Sequence, residues 1–240
     1  MGKLVRAWWW LAEASVTLGA VVLLLVVHQL WWTNLQARGA AHREVAALEQ
    51  QWDSPPQAPV ASVHTSDESA ARTAAPTAAP PANDPPPAPQ WDMAYAVIRI
   101  PAIGVSAPVA EGTSKTAVLN LGYVGHYPHT AQPGQPGNFA LAGHRNTHGE
   151  PFRYINRLRP GDQVLVETAR ARFTYVVDQT VAQTSALDGS VIDPVPYSSV
   201  HPEDRMTGAG YYITLTTCTP EFTSRYRLVV WGRLTAERPR

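Results

Sequence analysis

The chain has one cysteine and no net charge, and both features limit what it can be. Among its 240 residues Cys218 stands alone, which excludes an internal disulfide and a zinc site built from several thiolates. The 19 basic and 19 acidic side chains cancel, so there is no electrostatic reason to expect nucleic acid as a partner. A lone cysteine is either a small buried apolar residue or a reactive thiol. Its surroundings in the sequence decide between these two interpretations.

Charged side chains are nearly absent from a long apolar stretch, residues 7–32. About 20 apolar residues at 1.5 Å rise per residue cross a hydrocarbon core of ~30 Å, so this stretch predicts a transmembrane helix. Trp8–Trp10 and Trp31–Trp32 lie at its two ends, where indole rings favour the headgroup region. Lys3 and Arg6 precede it and favour a cytoplasmic N-terminus. A cleaved signal peptide is the alternative, but the run is too long and lacks a small-residue cleavage site.

The composition divides the chain into four parts. Residues 1–33 form a cytoplasmic tip and the transmembrane anchor, and residues 34–51 are rich in helix formers, which predicts a short juxtamembrane helix. Residues 52–93 are rich in proline and alanine and have too little apolar side-chain area to offset the entropy of ordering. We therefore predict a disordered spacer there, which would hold the folded domain, residues 94–240, away from the bilayer.

Short β-branched runs separated by turns fill this last part of the chain. The predicted strands are Tyr95–Ile100, Val105–Val109, Asn138–Ala142, Gln163–Glu167, Arg172–Asp178, Tyr211–Thr217 and Arg227–Gly232. Pro108 predicts that the second of them is an edge strand. One or two helical turns are expected within residues 113–121 and 151–158. Many short strands joined by turns are typical of a closed or nearly closed β-barrel, so we expect a mainly β fold.

Three features of the predicted strands combine a nucleophile with groups that can activate it. Thr214–Cys218 is a β-branched strand that ends in the lone cysteine, and Ala142–Arg145 places His144 at the end of another strand. Cysteine chemistry needs a thiolate, which a nearby imidazole or guanidinium stabilises, and acyl transfer needs a donor for the oxyanion. Arg225 and Arg227 begin the strand after the cysteine. Residues two apart on a strand share a face, so alternation leaves both arginines as candidates.

The segments LTTCTPEFTSRYRLVV and GNFALAGHR resemble the signature of the sortase family. The family's cysteine pattern T-L-x-T-C and the arginine on its next strand fall on Thr214, Leu215, Thr217, Cys218 and Arg227. The family histidine falls on His144, and the resemblance covers about residues 94–234. It implies a sortase-type eight-stranded β-barrel with short helices.

Sortases are cysteine transpeptidases that act outside the cytoplasmic membrane. They cleave a C-terminal sorting signal of secreted proteins between Thr and Gly, hold the protein as a thioester, and pass it to an amine, usually on a peptidoglycan precursor. By this resemblance Cys218 is the nucleophile, and His144 protonates the leaving amine and then activates the incoming one. Arg227 stabilises the oxyanion and holds substrate, while Thr217 helps to position the substrate or the oxyanion.

Within the family, the segment GHYPHTAQPGQPGNF and the short spacing after the cysteine are most similar to class E sortases of actinobacteria. That class favours alanine at the second position of the signal, written LAxTG, and the tyrosine linked to this preference falls on Tyr127. The alternative for Tyr127 is a loop aromatic that packs on the barrel. The cysteine of class E is often followed by histidine, whereas Thr219 stands here.

Two other functions remain as alternatives. An L,D-transpeptidase is also a cysteine enzyme of the cell wall, but its S-x-G-C type segment does not match TLTTC. A catalytically inactive, membrane-tethered scaffold or adhesion domain would have an unreactive Cys218. His126, His129 and His148 flank the expected site without forming a coherent ligand set, so we expect neither a metal nor a cofactor.

Overall fold

The computed structural model describes residues 2–54 and 89–240. In these two ranges the chain forms a long helix, α1 (Gly2–Asp53), and eight strands numbered in chain order. The strands are β1 (Ala94–Ile100), β2 (Val105–Glu111), β3 (Val124–His126), β4 (Gly137–Ala142), β5 (Gln163–Thr168), β6 (Ala171–Ser185), β7 (Tyr211–Thr219) and β8 (Tyr226–Pro239). Short 3₁₀ helices lie at Pro101–Ile103, Leu119–Leu121, Ile155–Arg157 and Gly189–Ile192.

The strands close into a barrel in the order β1-β2-β3-β4-β7-β8-β6-β5, and β5 pairs back onto β1. Neighbouring strands are antiparallel except β2–β3 and β4–β7, which run parallel. The predicted mainly β, eight-stranded barrel with short helices is therefore confirmed. The prediction of an edge strand at Pro108 is wrong, because closure places β2 between β1 and β3. The proline fits there because pairing with β3 begins only at Val109.

Three strands differ clearly from the sequence prediction, and one of them is β8, which continues to Pro239, beyond its predicted end at Gly232. β3 was missed because its three residues, with glycine in the middle, contain too little pattern to distinguish a strand from a loop. β6 continues to Ser185, well beyond the predicted end at Asp178. Its second half carries polar residues on both faces, and it is held in the sheet by pairing with β8 as far as Tyr226.

Side-chain alternation separates the inside of the barrel from its outer face. Ile213 and Leu215 of β7 belong to the interior cluster, together with Leu228 and Val230 of β8. Their neighbours along the strands point the other way, because successive side chains alternate. Those neighbours include Trp231, which packs in a second apolar cluster. The outer face of β7 and β8 is therefore also covered.

The connection between β6 and β7 covers this outer face and is held by Asp188. The carboxylate of Asp188 accepts hydrogen bonds from the hydroxyls of Thr184, Ser190, Ser198 and Ser199. Burial alone would raise the pKa of Asp188, but these four donors hold it well below its usual range. Farther along, the carbonyl of Val191 accepts hydrogen bonds from Trp231 Nε1 at 3.1 Å and from Thr214 at 3.3 Å. The connection is thereby fixed onto β7 and β8.

The second half of α1 packs against the barrel. Ala37, Ala41, Val45 and Leu48 are buried, and their spacing of four, four and three residues puts them on one helix face. Val45 and Leu48 contact Val97, which lies on β1. The small residues in this stripe allow the helix backbone to approach the barrel closely.

Charged contacts fix the far end of α1. Arg99 of β1 pairs with Glu49 of the helix and, at 2.6 Å, with Glu167 of β5. The guanidinium of Arg240 pairs with Asp53 at 2.8 Å and lies 5.0 Å from the centre of the Trp52 ring. The last turns of α1 are thus attached to the barrel wall.

The predicted anchor and the predicted juxtamembrane helix form one continuous helix. Within the described part of the chain, one segment, Trp8–Asp53, is long and apolar enough to cross a membrane. None of its most apolar stretch is buried against the rest of the protein. The predicted spacer, residues 52–93, lies for the most part outside the described residues. At its two margins Trp52 belongs to α1 and Trp91 forms a bridge with Glu111. The division of the chain into four parts stays a prediction, but α1 contacts the barrel before the spacer begins, so the helix itself connects the barrel to the predicted anchor.

Replacing Ala41 by aspartate tests this contact. Ala41 is 5% exposed, so Ala41→Asp places a charged, larger side chain against the barrel wall and should cost about 3 kcal/mol, lowering Tm by roughly 10 °C. Ala46→Asp, on the exposed side of the same helix, is the matched control and should leave Tm nearly unchanged. Thermal unfolding of the detergent-solubilised chain measures both. Equal Tm values for the two variants would contradict the packing of α1 on the barrel.

Candidate active site

The ends of β4 and β7 present the predicted histidine and cysteine at equal positions. The two strands run parallel, and their last aligned pair is Ala142 with Thr216. His144 and Cys218 each follow that pair by two residues, so they occupy the same register position at the same end of the barrel. By alternation both are on the outer face, since Leu215 of β7 points inward.

Hydrogen bonds keep the two segments side by side beyond the end of β4. Gly143 N donates to the Thr216 carbonyl at 3.1 Å, and the Thr217 hydroxyl donates to the Gly143 carbonyl at 2.8 Å. A Cβ at position 143 would lie 2.7 Å from ring carbons of Phe152, so only glycine fits. Phe152 N in turn donates to the carbonyl of His144 at 3.1 Å. The backbone that carries the histidine is thus fixed against β7.

Arg227 lies directly opposite Cys218 in the antiparallel pair of β7 and β8. Directly opposed residues project from the same face of a sheet, so the guanidinium and the thiol share one side of the wall. Arg227 is half-buried, and its Nη1 donates to the carbonyls of Ser224 and Tyr226, each at 3.0 Å. Arg225 precedes β8, is exposed, and lies over the ring of Tyr226 at 5.1 Å. Of the two candidates, Arg227 is the one that the fold brings to the cysteine.

The imidazole of His144 is held in a defined state. Its Nε2 lies 2.9 Å from Oδ1 of Asn120, an acceptor, so Nε2 carries the proton and Nδ1 keeps a lone pair. The ring stacks on that of His148 with 5.4 Å between centroids. Burial, with smaller contributions from the electrostatic repulsion of His148 and Lys115, lowers the pKa of His144 to about 4. The side chain is therefore neutral at neutral pH and able to accept a proton.

A buried arginine, Arg145, lies beside the cysteine and was not singled out from the sequence. It is 7% exposed, and its Nη1 donates to the carbonyl of Cys218 at 3.2 Å and to Oγ1 of Thr219 at 2.8 Å. Its Nε has no hydrogen-bond partner, and no carboxylate in residues 2–54 or 89–240 pairs with it. A guanidinium remains protonated even when buried. Its adjacency to His144 in AGHR was the only sequence signal that could have identified it.

The two predicted substrate-binding residues have different surroundings. Thr217 is 3% exposed and lies on the opposite face from Cys218, where its hydroxyl is used to bind the Gly143 carbonyl. This geometry fits a supporting role towards the histidine segment, and the expected part of Thr217 in positioning the substrate or the oxyanion stays a prediction. Tyr127 is half-buried, and its hydroxyl lies 3.1 Å from Oγ1 of Thr216, which shares the outer face with Cys218. Tyr127 is therefore near the site.

The remaining histidines of this region have separate environments. His126 is fully buried, with Nδ1 2.7 Å from a carboxylate oxygen of Glu111 and 3.1 Å from the hydroxyl of Tyr95. Burial raises the pKa of Tyr95, as does the charge of Glu111. His129 is exposed and has a left-handed backbone, with φ of 66°. Over the described ranges, no group of three or more His, Cys, Asp or Glu side chains is placed to hold a metal ion.

The sequence of this chain is similar to those of known proteins of one family. The family described as "Sortase domain" matches residues 98–235. The chain is 42% identical to Sortase SrtE1 of Streptomyces coelicolor (strain ATCC BAA-471 / A3(2) / M145) over 235 residues, which cover 96% of this chain and 58% of the relative. The chain thus spans less than two thirds of the length of that relative.

Solved structures of the same family share its fold. The crystal structure of Sortase E1 from Streptomyces coelicolor with a tripeptide in the active site is 51% identical, with a TM-score of 0.58 over 62% of this chain and 92% of that one. The structure of sortase E from Streptomyces avermitilis is 41% identical, with a TM-score of 0.54 over 62% of this chain and 93% of that one. Both are class E proteins, as the sequence resemblance suggested.

The lowered pKa of His144 can be measured by NMR. In the ¹³C-histidine-labelled chain, the His144 ring should titrate with a midpoint at about pH 4, well below the ordinary histidine pKa of 6.5. His148→Gln removes the repulsion that His148 exerts on His144 and should raise that midpoint, while the spectrum of the half-buried His201 should be the same in the two proteins. His144→Gln identifies the resonance. A midpoint at or above 6.5 would contradict the buried, neutral imidazole.

The same lowered pKa makes the stability of the fold depend on pH. The unfolded chain binds the His144 proton more tightly than the folded chain does, so the fold should lose stability as pH falls from 6.5 towards about 4.

Proposed function

The chain belongs to the sortase family, and from that membership we propose that it is a cysteine transpeptidase whose site is formed by Cys218, His144 and Arg227. The observation that supports this most strongly is their placement in one row across three neighbouring strands. β7 carries the cysteine, β4 leads to the histidine at the same register, and β8 carries the arginine directly opposite the cysteine. Nucleophile, base and oxyanion donor are the three groups that acyl transfer needs.

The first half-reaction makes a thioester and releases an amine. The neutral His144 takes the proton of the Cys218 thiol, and the sulfur attacks the carbonyl carbon of the threonine in the sorting signal. As the tetrahedral intermediate collapses, the C–N bond to glycine breaks, and the imidazolium gives its proton to the leaving amine. This step requires the imidazole to be neutral at the start, and the lowered pKa of His144 satisfies that requirement.

The second half-reaction transfers the acyl group to a new amine. The incoming amine attacks the thioester carbonyl, and His144, which is neutral again after the first half-reaction, accepts a proton from this amine. The C–S bond then breaks, and the proton returns to the sulfur of Cys218. Because the imidazole ends each half-reaction neutral, one side chain acts as base and acid in both.

Two arginines have separate roles in this scheme. Arg227 presents a guanidinium on the face of the nucleophile, where its N–H groups stabilise the oxyanion and hold the substrate. Arg145 is a positioning residue, because its bonds go to the backbone carbonyl of Cys218 and to the side chain of Thr219. Thr217 also positions the site, through its bond to Gly143.

The proposed substrates are secreted proteins with a C-terminal signal of the LAxTG kind, and the proposed acceptor is an amine of a peptidoglycan precursor. The hydroxyl of Tyr127 lies 3.1 Å from Oγ1 of Thr216, on the outer face that carries Cys218, which supports a contact between Tyr127 and the second residue of the signal. The exposed apolar half of α1 supports a single N-terminal membrane span, with the barrel outside the cytoplasm and no nucleic acid as a partner.

A peptide assay tests the proposed function. The purified chain is incubated with fluorogenic LAxTG and LPxTG peptides, with and without an amine nucleophile. We expect cleavage between Thr and Gly, faster for LAxTG, and an amine-linked product that Cys218→Ala does not form. Faster cleavage of LPxTG would retain the enzyme and change the signal preference. A folded chain that cleaves neither peptide would contradict the proposal and favour an inactive scaffold.

Two arginine variants test the assignment of the oxyanion donor. Arg227→Ala should lower kcat by roughly 10²–10³, the usual cost of removing one such donor. Arg225→Ala is the matched control, two residues away and exposed, and should keep near wild-type turnover. Both are measured with the preferred peptide at saturating concentration. Loss in Arg225→Ala with full turnover in Arg227→Ala would reassign the role.

A further inference from the structure

The tryptophans of α1 define where the bilayer would end, given the proposed membrane span. From Trp10 to Trp31 the helix rises about 32 Å at 1.5 Å per residue, which matches a hydrocarbon core of ~30 Å. Both indoles are largely exposed, at 70% and 61%, and indoles favour the boundary between hydrocarbon and headgroups. Trp31 therefore marks the outer boundary of the hydrocarbon core.

The barrel is attached to α1 less than one helical turn beyond that boundary. Asn34 Nδ2 donates to a carboxylate oxygen of Glu150 at 2.8 Å, and Gly149 N donates to Asn34 Oδ1 at 3.3 Å. Arg38, one turn farther, donates to the Gly149 carbonyl at 3.2 Å and pairs with Glu150 at 3.0 Å. Asn34 lies only about 4–5 Å above Trp31 along the helix axis. The loop that follows His144 is therefore held at headgroup depth.

An apolar groove of about 550 Å³ lies between α1 and this end of the barrel. Its walls include Val27, Trp31, Asn146, His148, Glu150 and Phe222. Val27 is one turn below Trp31, so one wall of the groove lies within the hydrocarbon layer. Phe222, on the loop between β7 and β8, is 75% exposed. At this depth, between a membrane helix and an exposed aromatic ring, Trp31 and Phe222 lie where the outer leaflet can cover them.

We propose that this end of the barrel rests on the outer leaflet, with Phe222 inserted at the hydrocarbon boundary. This deepens the proposed function, on which it rests. His148 lines the groove and stacks on His144, so the reacting groups lie immediately above the lipid. The site then acts on a signal at the point where it leaves the bilayer, before its protein has been released from the membrane.

The opposite end of the barrel provides a control position. Asp53 lies about 33 Å above Trp31 along α1, and Arg240, which pairs with it, donates its backbone N–H to the carbonyl of Arg170 at 2.9 Å. Ala169, next to Arg170, is exposed in the turn between β5 and β6. A probe at Ala169 should therefore stay far from the membrane.

Quenching by nitroxide lipids tests the proposal. In the full chain with Cys218→Ala, single cysteines replace Phe222, Ala169 or Leu24, each is labelled with an environment-sensitive fluorophore, and the protein is reconstituted in phosphatidylcholine–phosphatidylglycerol vesicles. Nitroxides near the headgroups should quench the probe at position 222 at least twofold more than the probe at 169. Nitroxides deep in the chains should quench the probe at 24, within the proposed span.

The three probes separate the possible failures. Quenching at 24 with equal, weak quenching at 222 and 169 would overturn the membrane contact while the anchor stands. No quenching at 24 would overturn both the span and the contact. Neither result bears on peptide cleavage in solution, so failure of this inference is distinguishable from failure of the proposed chemistry. Circular dichroism of each labelled variant establishes that the β-barrel is folded.

Discussion

The parallel pairing of β4 with β7 is the constraint on which the site depends. It aligns Ala142 with Thr216, so that the next residues of each strand emerge together and bring His144 beside Cys218. Backbone hydrogen bonds from Gly143 extend the alignment past the end of β4, and the ring of Phe152 leaves no room for a side chain there. A shift of register by one residue would turn the histidine away from the face of the thiol, because the side-chain period of a strand is two.

A second constraint is the contact between α1 and the barrel. The helix carries a stripe of small and medium apolar residues, from Ala37 to Leu48, that packs on the wall. Polar contacts at both ends, Asn34 with Glu150 and Asp53 with Arg240, fix its direction. The same helix continues into the apolar segment proposed to cross the membrane. The helix thus connects the candidate site to the segment proposed to cross the membrane without depending on the proline-rich segment.

The candidate site could be proposed from the sequence because its signals are local. A lone cysteine after a β-branched run and a histidine after another are visible in the sequence, as is the pattern of short strands that predicts a barrel. The rest depends on pairing between distant segments. Alternation could not choose between Arg225 and Arg227, and only the pairing of β7 with β8 does so. The inward orientation of Thr217 follows from register, and the approach of Asn120 to His144 follows from loop packing, which leaves no periodic signal.

If Cys218 is the nucleophile, it forms a covalent bond with the substrate, and the mass of the acyl-enzyme reveals that bond. The chain would be mixed with an LAxTG peptide without an acceptor amine, quenched in acid, and examined by intact and peptide mass spectrometry. We expect an adduct that ends at the threonine of the signal and is found only on the peptide containing Cys218. Hydroxylamine should release it, because hydroxylamine cleaves thioesters. Peptide cleavage without an adduct, or with an adduct on another residue, would contradict it.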